Sequence, residues 1–228
     1  MITLSLPDGP LALVCLAAHP DDLEIGCGGT LLTLSARGDV AATVLTLTGA
    51  PEREVEASGA AQAFLPGAVS RFARLRDGRL PAAWDAVKDA LHDLAADVPR
   101  PDVVLAPSPH DAHQDHRLVG SLAPTVWRDS LVLYYEIPKW DGDMGRPTVY
   151  VPVADELAAR KVELLDEHYG SQHGRQWWDR ETFLGLMRLR GMECRSHYAE
   201  AFATTKTVLG LGQGLGQGQG QDLGRGGA

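Results

Sequence analysis

The sequence has few cysteines, few aromatic residues, no long apolar run and no excess of positive charge. Its three cysteines, Cys15, Cys27 and Cys194, are an odd and scattered set among 228 residues. No paired spacing links them, which excludes a disulfide framework and a cysteine zinc ribbon. A reducing cytoplasm is therefore the expected compartment. Lys and Arg number 21 against 30 Asp and Glu, a net charge of −9. That deficit argues against a phosphate-backbone partner, because nucleic-acid binding runs on clustered basic residues. No apolar stretch approaches the ~18 residues of a membrane span. Residues 11–18 are apolar, but Asp8 stands where a secretory signal carries basic residues, and His19-Pro20-Asp21-Asp22 follows at once.

What is present is the composition of an ordinary globular protein, 44% hydrophobic and 22% charged. One domain is expected over residues 1–209. Residues 210–228 hold nine Gly and four Gln, too few apolar groups to offset the entropy of ordering them, and read as a flexible tail. Within the domain, apolar runs at 11–18, 40–47, 102–106 and 131–135 read as buried strands. Helical patterns fall at 28–37, 52–64, 82–96, 116–127, 156–168 and 180–190. This alternation predicts an α/β fold, a Rossmann-like and mostly parallel sheet with helices on both faces. Such sheets place their ligands beyond the carboxyl ends of the strands.

The unusual residues fall there. His19-Pro20-Asp21-Asp22 follows the first strand, and His110-Asp111-Ala112-His113-Gln114-Asp115-His116 follows the 102–106 strand. Together these two loops carry four of the chain's eight histidines. Imidazole and carboxylate are the ligands of hydrolytic zinc sites, which use three protein groups and leave a position for water. Two adjacent Asp residues permit one carboxylate to bind metal while its neighbour points at the water.

Ala18-His19-Pro20-Asp21-Asp22 with Gly28-Gly29, and His113-Gln114-Asp115-His116, resemble the paired signatures of the PIG-L/LmbE-type zinc-dependent de-N-acetylases. The likeness continues through Arg53-Glu54-Val55-Glu56, Asp77-Gly78, Tyr135-Glu136, Ser171-Gln172 and the segment from Tyr198 to Phe202. Gln114 stands where the family usually has Pro. The resemblance implies removal of an acetyl group from an N-acetylglucosaminyl compound. It also implies zinc held by His19, Asp22 and His116, with Asp21 as general base. His113 matches the general acid or oxyanion stabiliser, Asp115 the carboxylate orienting His113, and Arg53 and Asp77 contacts to sugar hydroxyls. The implied partner is a small N-acetylated aminosugar glycoside; homo-oligomerisation stays open.

Plainer readings compete. Asp residues are common before helices as caps. Gly26-Cys27-Gly28-Gly29 lacks the spacing of a dinucleotide loop and suits close backbone packing. Trp177-Trp178 reads as core before it reads as a sugar platform, and His110 as loop or as support for a ligand. A metal-dependent amidase for a larger acyl group, or a non-catalytic binding module, is the rival function. The intact Asp21 speaks against the latter.

Overall fold

The computed structural model describes residues 2–6 and 8–209; the expected tail at 210–228 lies outside them. The strands are β1 (Leu11–Ala17), β2 (Val40–Thr48), β3 (Val69–Leu75), β4 (Val103–Pro107), β5 (Leu131–Tyr135), β6 (Val149–Val153) and β7 (Tyr198–Ala203). The helices are α1 (Asp22–Ser35), α2 (Pro51–Phe64), α3 (Trp84–Asp97), α4 (Gln114–Val126), α5 (Asp155–His168) and α6 (Arg180–Cys194). One sheet orders the strands β3-β2-β1-β4-β5-β7-β6. From β3 to β5 every pairing is parallel, whereas β7 runs antiparallel to both β5 and β6. No described helix is long and apolar enough to cross a membrane.

Both faces of the sheet are buried, which is why its strands read as continuous apolar runs. Leu13, Cys15 and Ala17 of β1 point into one core with Phe64 of α2 and Val162 and Leu165 of α5. Val14 and Leu16 point into the other, with Val87 and Leu91 of α3 and Val119 of α4. The strand order reverses direction between β1 and β4. Their register pairs Cys15 with Leu105, two residues before each strand's end. The two exit loops therefore leave the sheet side by side, at the switch point where open α/β sheets form a crevice.

Three strands and one helix start differ from expectation. β3 carries Arg71 and Arg74 and is largely half-exposed, so it lacks the apolar run of a central strand. β6 contains Pro152 and lies at the sheet edge, where proline's missing N–H costs no ladder bond. β7 hides Glu200 in its middle. α1 begins at Asp22, not near Gly28, and bends at Cys27 (φ −145°).

That bend is held by packing. A Cβ on Gly28 would stand 2.6 Å from Phe64 Cε1, and one on Gly29 would meet Val153 at 3.0 Å. Backbone groups freed near the bend find side-chain partners. Gly29 N and Thr30 N donate to Glu200 at 2.8 and 2.6 Å, while Lys161 Nζ donates to Ile25 O at 2.6 Å and to Glu200 Oε1 at 2.7 Å. Both side chains are almost wholly buried. Glu200→Ala would strand a buried ammonium and two backbone donors, so a loss of about 3–5 kcal/mol is expected by urea denaturation. A loss under about 1 kcal/mol, the worth of an exposed pair, would contradict this reading of the bend.

Candidate metal centre and catalytic cleft

The β1 exit turns through an uncommon backbone conformation. Asp21 has φ +101°, a region non-glycine residues rarely enter and that functional sites concentrate. The turn sends the two adjacent carboxylates apart. Asp22 reaches inward to His19 Nδ1 (3.3 Å) and His116 Nε2 (3.2 Å), and it also accepts from His19 N at 2.7 Å. Asp21 faces the other way and accepts from the Arg53 guanidinium at 2.8 Å. Arg53 also donates to Pro20 O and pairs with Glu56, so α2 clamps the turn.

His19 Nδ1 and His116 Nε2 lie 3.1 Å apart. Their far nitrogens meet carboxylates. His19 Nε2 is 3.1 Å from Asp77 Oδ1 and 3.4 Å from Asp115 Oδ2. His116 Nδ1 is 3.0 Å from Asp111 Oδ2, in contact but not aligned as a hydrogen bond. Imidazoles backed in this way are the usual ligands of catalytic ions. Nitrogens of His19, His113 and His116 also converge within 4.8 Å, as do ligand atoms of His19, Asp77 and Asp115. Asp115 already accepts backbone bonds from Gly78 N (2.8 Å) and Leu80 N (3.1 Å), which makes that last set a support for His19. The donors are nitrogen and oxygen only, compatible with a divalent ion of the zinc type. Cys15 and Cys27 take no part; burial pushes both thiols up, and Cys27 Sγ donates to Leu23 O.

Asp115 departs from its expected role. Its carboxylate turns to Gly78, Leu80 and His19, while only its backbone N–H reaches His113, at Nδ1 (3.3 Å). The Asp115 carboxylate is thus engaged by groups other than the His113 ring. The bond at Nδ1 leaves the ring proton on His113 Nε2. Desolvation, then positive charge on His116 and His19, lowers the His113 pKa. That shift favours the uncharged ring.

Charge at the centre is tightly linked. Burial, then repulsion from Asp22, pushes Asp21 up to about 8 against the pull of Arg53 and His19. Burial opposes ionisation of Asp22 as well, but His116 and His19 outweigh it and hold that carboxyl well below its usual range. Burial also disfavours charge on His116, yet Asp22 and Asp111 carry it up to about 9. Both histidines favour the protonated form, and a bound ion would have to displace those protons. Metal uptake should release protons to solution, and affinity measured by chelator competition should fall steadily from pH 9 to pH 6. Affinity independent of pH would contradict this set of ligands.

Residues 14–127, half of the chain, match the PIG-L family, GlcNAc-PI de-N-acetylase. The chain belongs to the PIG-L family. An Escherichia coli K12 relative, the uncharacterized deacetylase YaiS, is 29% identical over 168 residues, covering 68% of this chain and 89% of the relative. The N,N'-diacetylchitobiose deacetylase from Pyrococcus horikoshii superposes with a TM-score of 0.67 at 23% identity, over 85% of this chain and 83% of that one. GalB, the 4-carboxy-2-hydroxymuconate hydratase from Pseudomonas putida KT2440, gives 0.73 at 19% identity, over 90% and 100%. At such identities these two structures establish a shared fold.

In this PIG-L chain the centre forms the floor of a cavity of about 740 Å³. His19, Asp21, Asp22, Arg53, Asp77, His113 and His116 all line it. Every residue expected at the site except buried Asp115 thus reaches the cavity surface, and Asp115 touches His19 behind it. Asp111 escaped the sequence reading despite lying in the second cluster, because its partner is five residues away across the start of α4. Asp111→Asn should weaken metal binding by about 10–100-fold, read by chelator competition; unchanged affinity would remove Asp111 from the centre.

Proposed function

We propose that the protein is a metal-dependent N-deacetylase that hydrolyses the acetamide of an N-acetylglucosaminyl glycoside to acetate and a free amine. The observation carrying this reading is the approach of His19 Nδ1, His116 Nε2 and Asp22 to 3.1–3.3 Å of one another on the cavity floor. Asp21 stands beside them as a separate buried carboxylate. His19, Asp22 and His116 would hold the ion, with zinc the natural choice for such donors. When bound, that ion polarises the amide carbonyl and makes a water molecule acidic near neutral pH.

Asp21 takes the proton from the attacking water. Its pKa near 8 lets it hold that proton and pass it to the departing nitrogen, so one carboxylate serves as base and then acid. Arg53 fixes its direction through the 2.8 Å bond. His113 presents Nε2–H as a neutral donor to the oxygen that gains negative charge, a role suited to a preorganised site. Asp77, mostly exposed while touching His19, keeps an oxygen for a sugar hydroxyl. The likeness to YaiS and to the Pyrococcus enzyme, both named as deacetylases, supports the same reaction. Dispersed thiols suit a cytoplasmic setting.

Incubating metal-loaded protein with N-acetyl and N-butyryl glucosaminides, and measuring acid and amine together, tests this. Equal release of acetate and amine, faster than butyrate release, is expected. Preference for the longer chain would favour a broader amidase. Saturable binding without release would identify a binding module, and neither binding nor release would overturn the reading.

A further inference from the structure

The cavity has more wall than an acetamide and its sugar ring require. Its volume of about 740 Å³ sits in the upper part of the roughly 300–1,000 Å³ span of small-ligand pockets. Besides the histidines and carboxylates, Ile137, Pro138, Trp140 and Trp177 line it. Trp140 is 75% exposed, more than any other tryptophan; Trp84 follows at 48%. An indole left in water to that extent forgoes a large apolar burial.

The residue before Trp140 is anchored, and the Trp177 ring is packed. Lys139, next to Trp140, is bound at Nζ by Asp111 Oδ2 (2.9 Å) and by both Asp143 oxygens (2.9 and 2.8 Å). Trp177 packs edge-on against Trp178, with ring centroids 5.6 Å apart. Trp178 is fixed in turn by Phe183 (5.3 Å), Tyr169 (5.9 Å) and an Nε1 bond to Asp166 (3.1 Å). Both members of the expected core pair pack against the core, and Trp177 lines the cavity as well. One packed indole and one exposed indole next to an anchored residue thus line the same cavity. Lys139 and Arg53 are spent on carboxylates, so beside the two indoles these cations are already paired. Exposed Asp141 and Arg175 add polar groups to the same lining.

We propose that Trp140 and Trp177 form an aglycone subsite for a flat apolar group, an aryl ring in its simplest form, linked to the N-acetylated sugar. This rests on the deacetylase reading above. A planar ring would cover the indole faces without needing hydrogen bonds. A second sugar ring would turn to Asp141 and Arg175 at the exposed edge of the lining instead of to the indole faces.

The test compares phenyl and methyl N-acetyl-β-glucosaminides, with N,N'-diacetylchitobiose as a third substrate. A phenyl-to-methyl ratio of about tenfold in kcat/KM, expressed mainly in KM, is expected from aromatic stacking. Trp140→Ala and Trp177→Ala should each bring that ratio toward one, and Trp140→Phe should largely restore it. Calorimetric binding of both glycosides to the Asp21→Asn protein separates the two claims. If no glycoside is turned over but phenyl still binds more tightly in a tryptophan-dependent way, the deacetylase reading fails and the subsite stands. If both are turned over at a ratio near one, indifferent to the alanine variants, the subsite is overturned and the reaction stands. A preference for the disaccharide over phenyl also overturns it.

Discussion

Asp21→Asn should lower kcat by about 10²–10⁴-fold, the usual loss on removing a general base, while metal content stays that of the wild type. Asn is nearly isosteric, and Asp21 faces Arg53, not the two histidines. The pH profile carries the sign of the effect. Asp21 must be ionised to accept a proton, and burial with repulsion from Asp22 raises it to about 8. Below its pKa the carboxyl is protonated and the rate falls, so kcat/KM climbs as pH rises through that value. A cation at His19, Asp22 and His116 adds positive charge and moves this limb downward. Arg53→Met removes an opposing positive charge and moves it upward. Asp21→Asn should lose the limb altogether. A variant with the wild-type rate and profile would take the base role from Asp21.

His116→Ala should abolish stable metal binding and bring acetate release to background. His116 Nε2 is 3.1 Å from His19 Nδ1 and 3.2 Å from Asp22, so its removal leaves one imidazole and one carboxylate in the set. Binding weaker by more than about 100-fold is expected, beyond the cost of losing a mere supporting partner. Asp111→Asn supplies that lesser comparison on the same ring. A His116→Ala protein that keeps its ion would shift the centre to other donors.

Much of this architecture is legible without coordinates. Strands β1, β2, β4 and β5 are apolar runs because helices cover both faces, and the histidine clusters sit where β1 and β4 end. The edge strands are less legible. β3 mixes Arg with apolar residues, and β6 admits Pro152, so neither has a buried pattern to read. The start of α1 is hidden by three glycines that local propensity counts against a helix, yet contacts with Phe64 and Val153 demand at least two of them. At the site, residue types and loops were apparent, but partners were not. Nothing local shows that Asp115 would bind Gly78 and Leu80, that Arg53 would clamp Asp21, or that Asp111 would meet His116. Those contacts depend on how loops from separate strands meet.

Titrating metal-free protein with zinc while following acetate release from an N-acetylglucosaminide addresses the site and the reaction together. Release should be absent without the ion, rise in proportion to added zinc, and level off at about one ion per chain, the count for a single three-ligand site. His116→Ala should stay silent throughout the same titration. Acetate release by fully chelated protein, or none at any zinc level, would contradict a metal-dependent deacetylase centred on His19, Asp22 and His116.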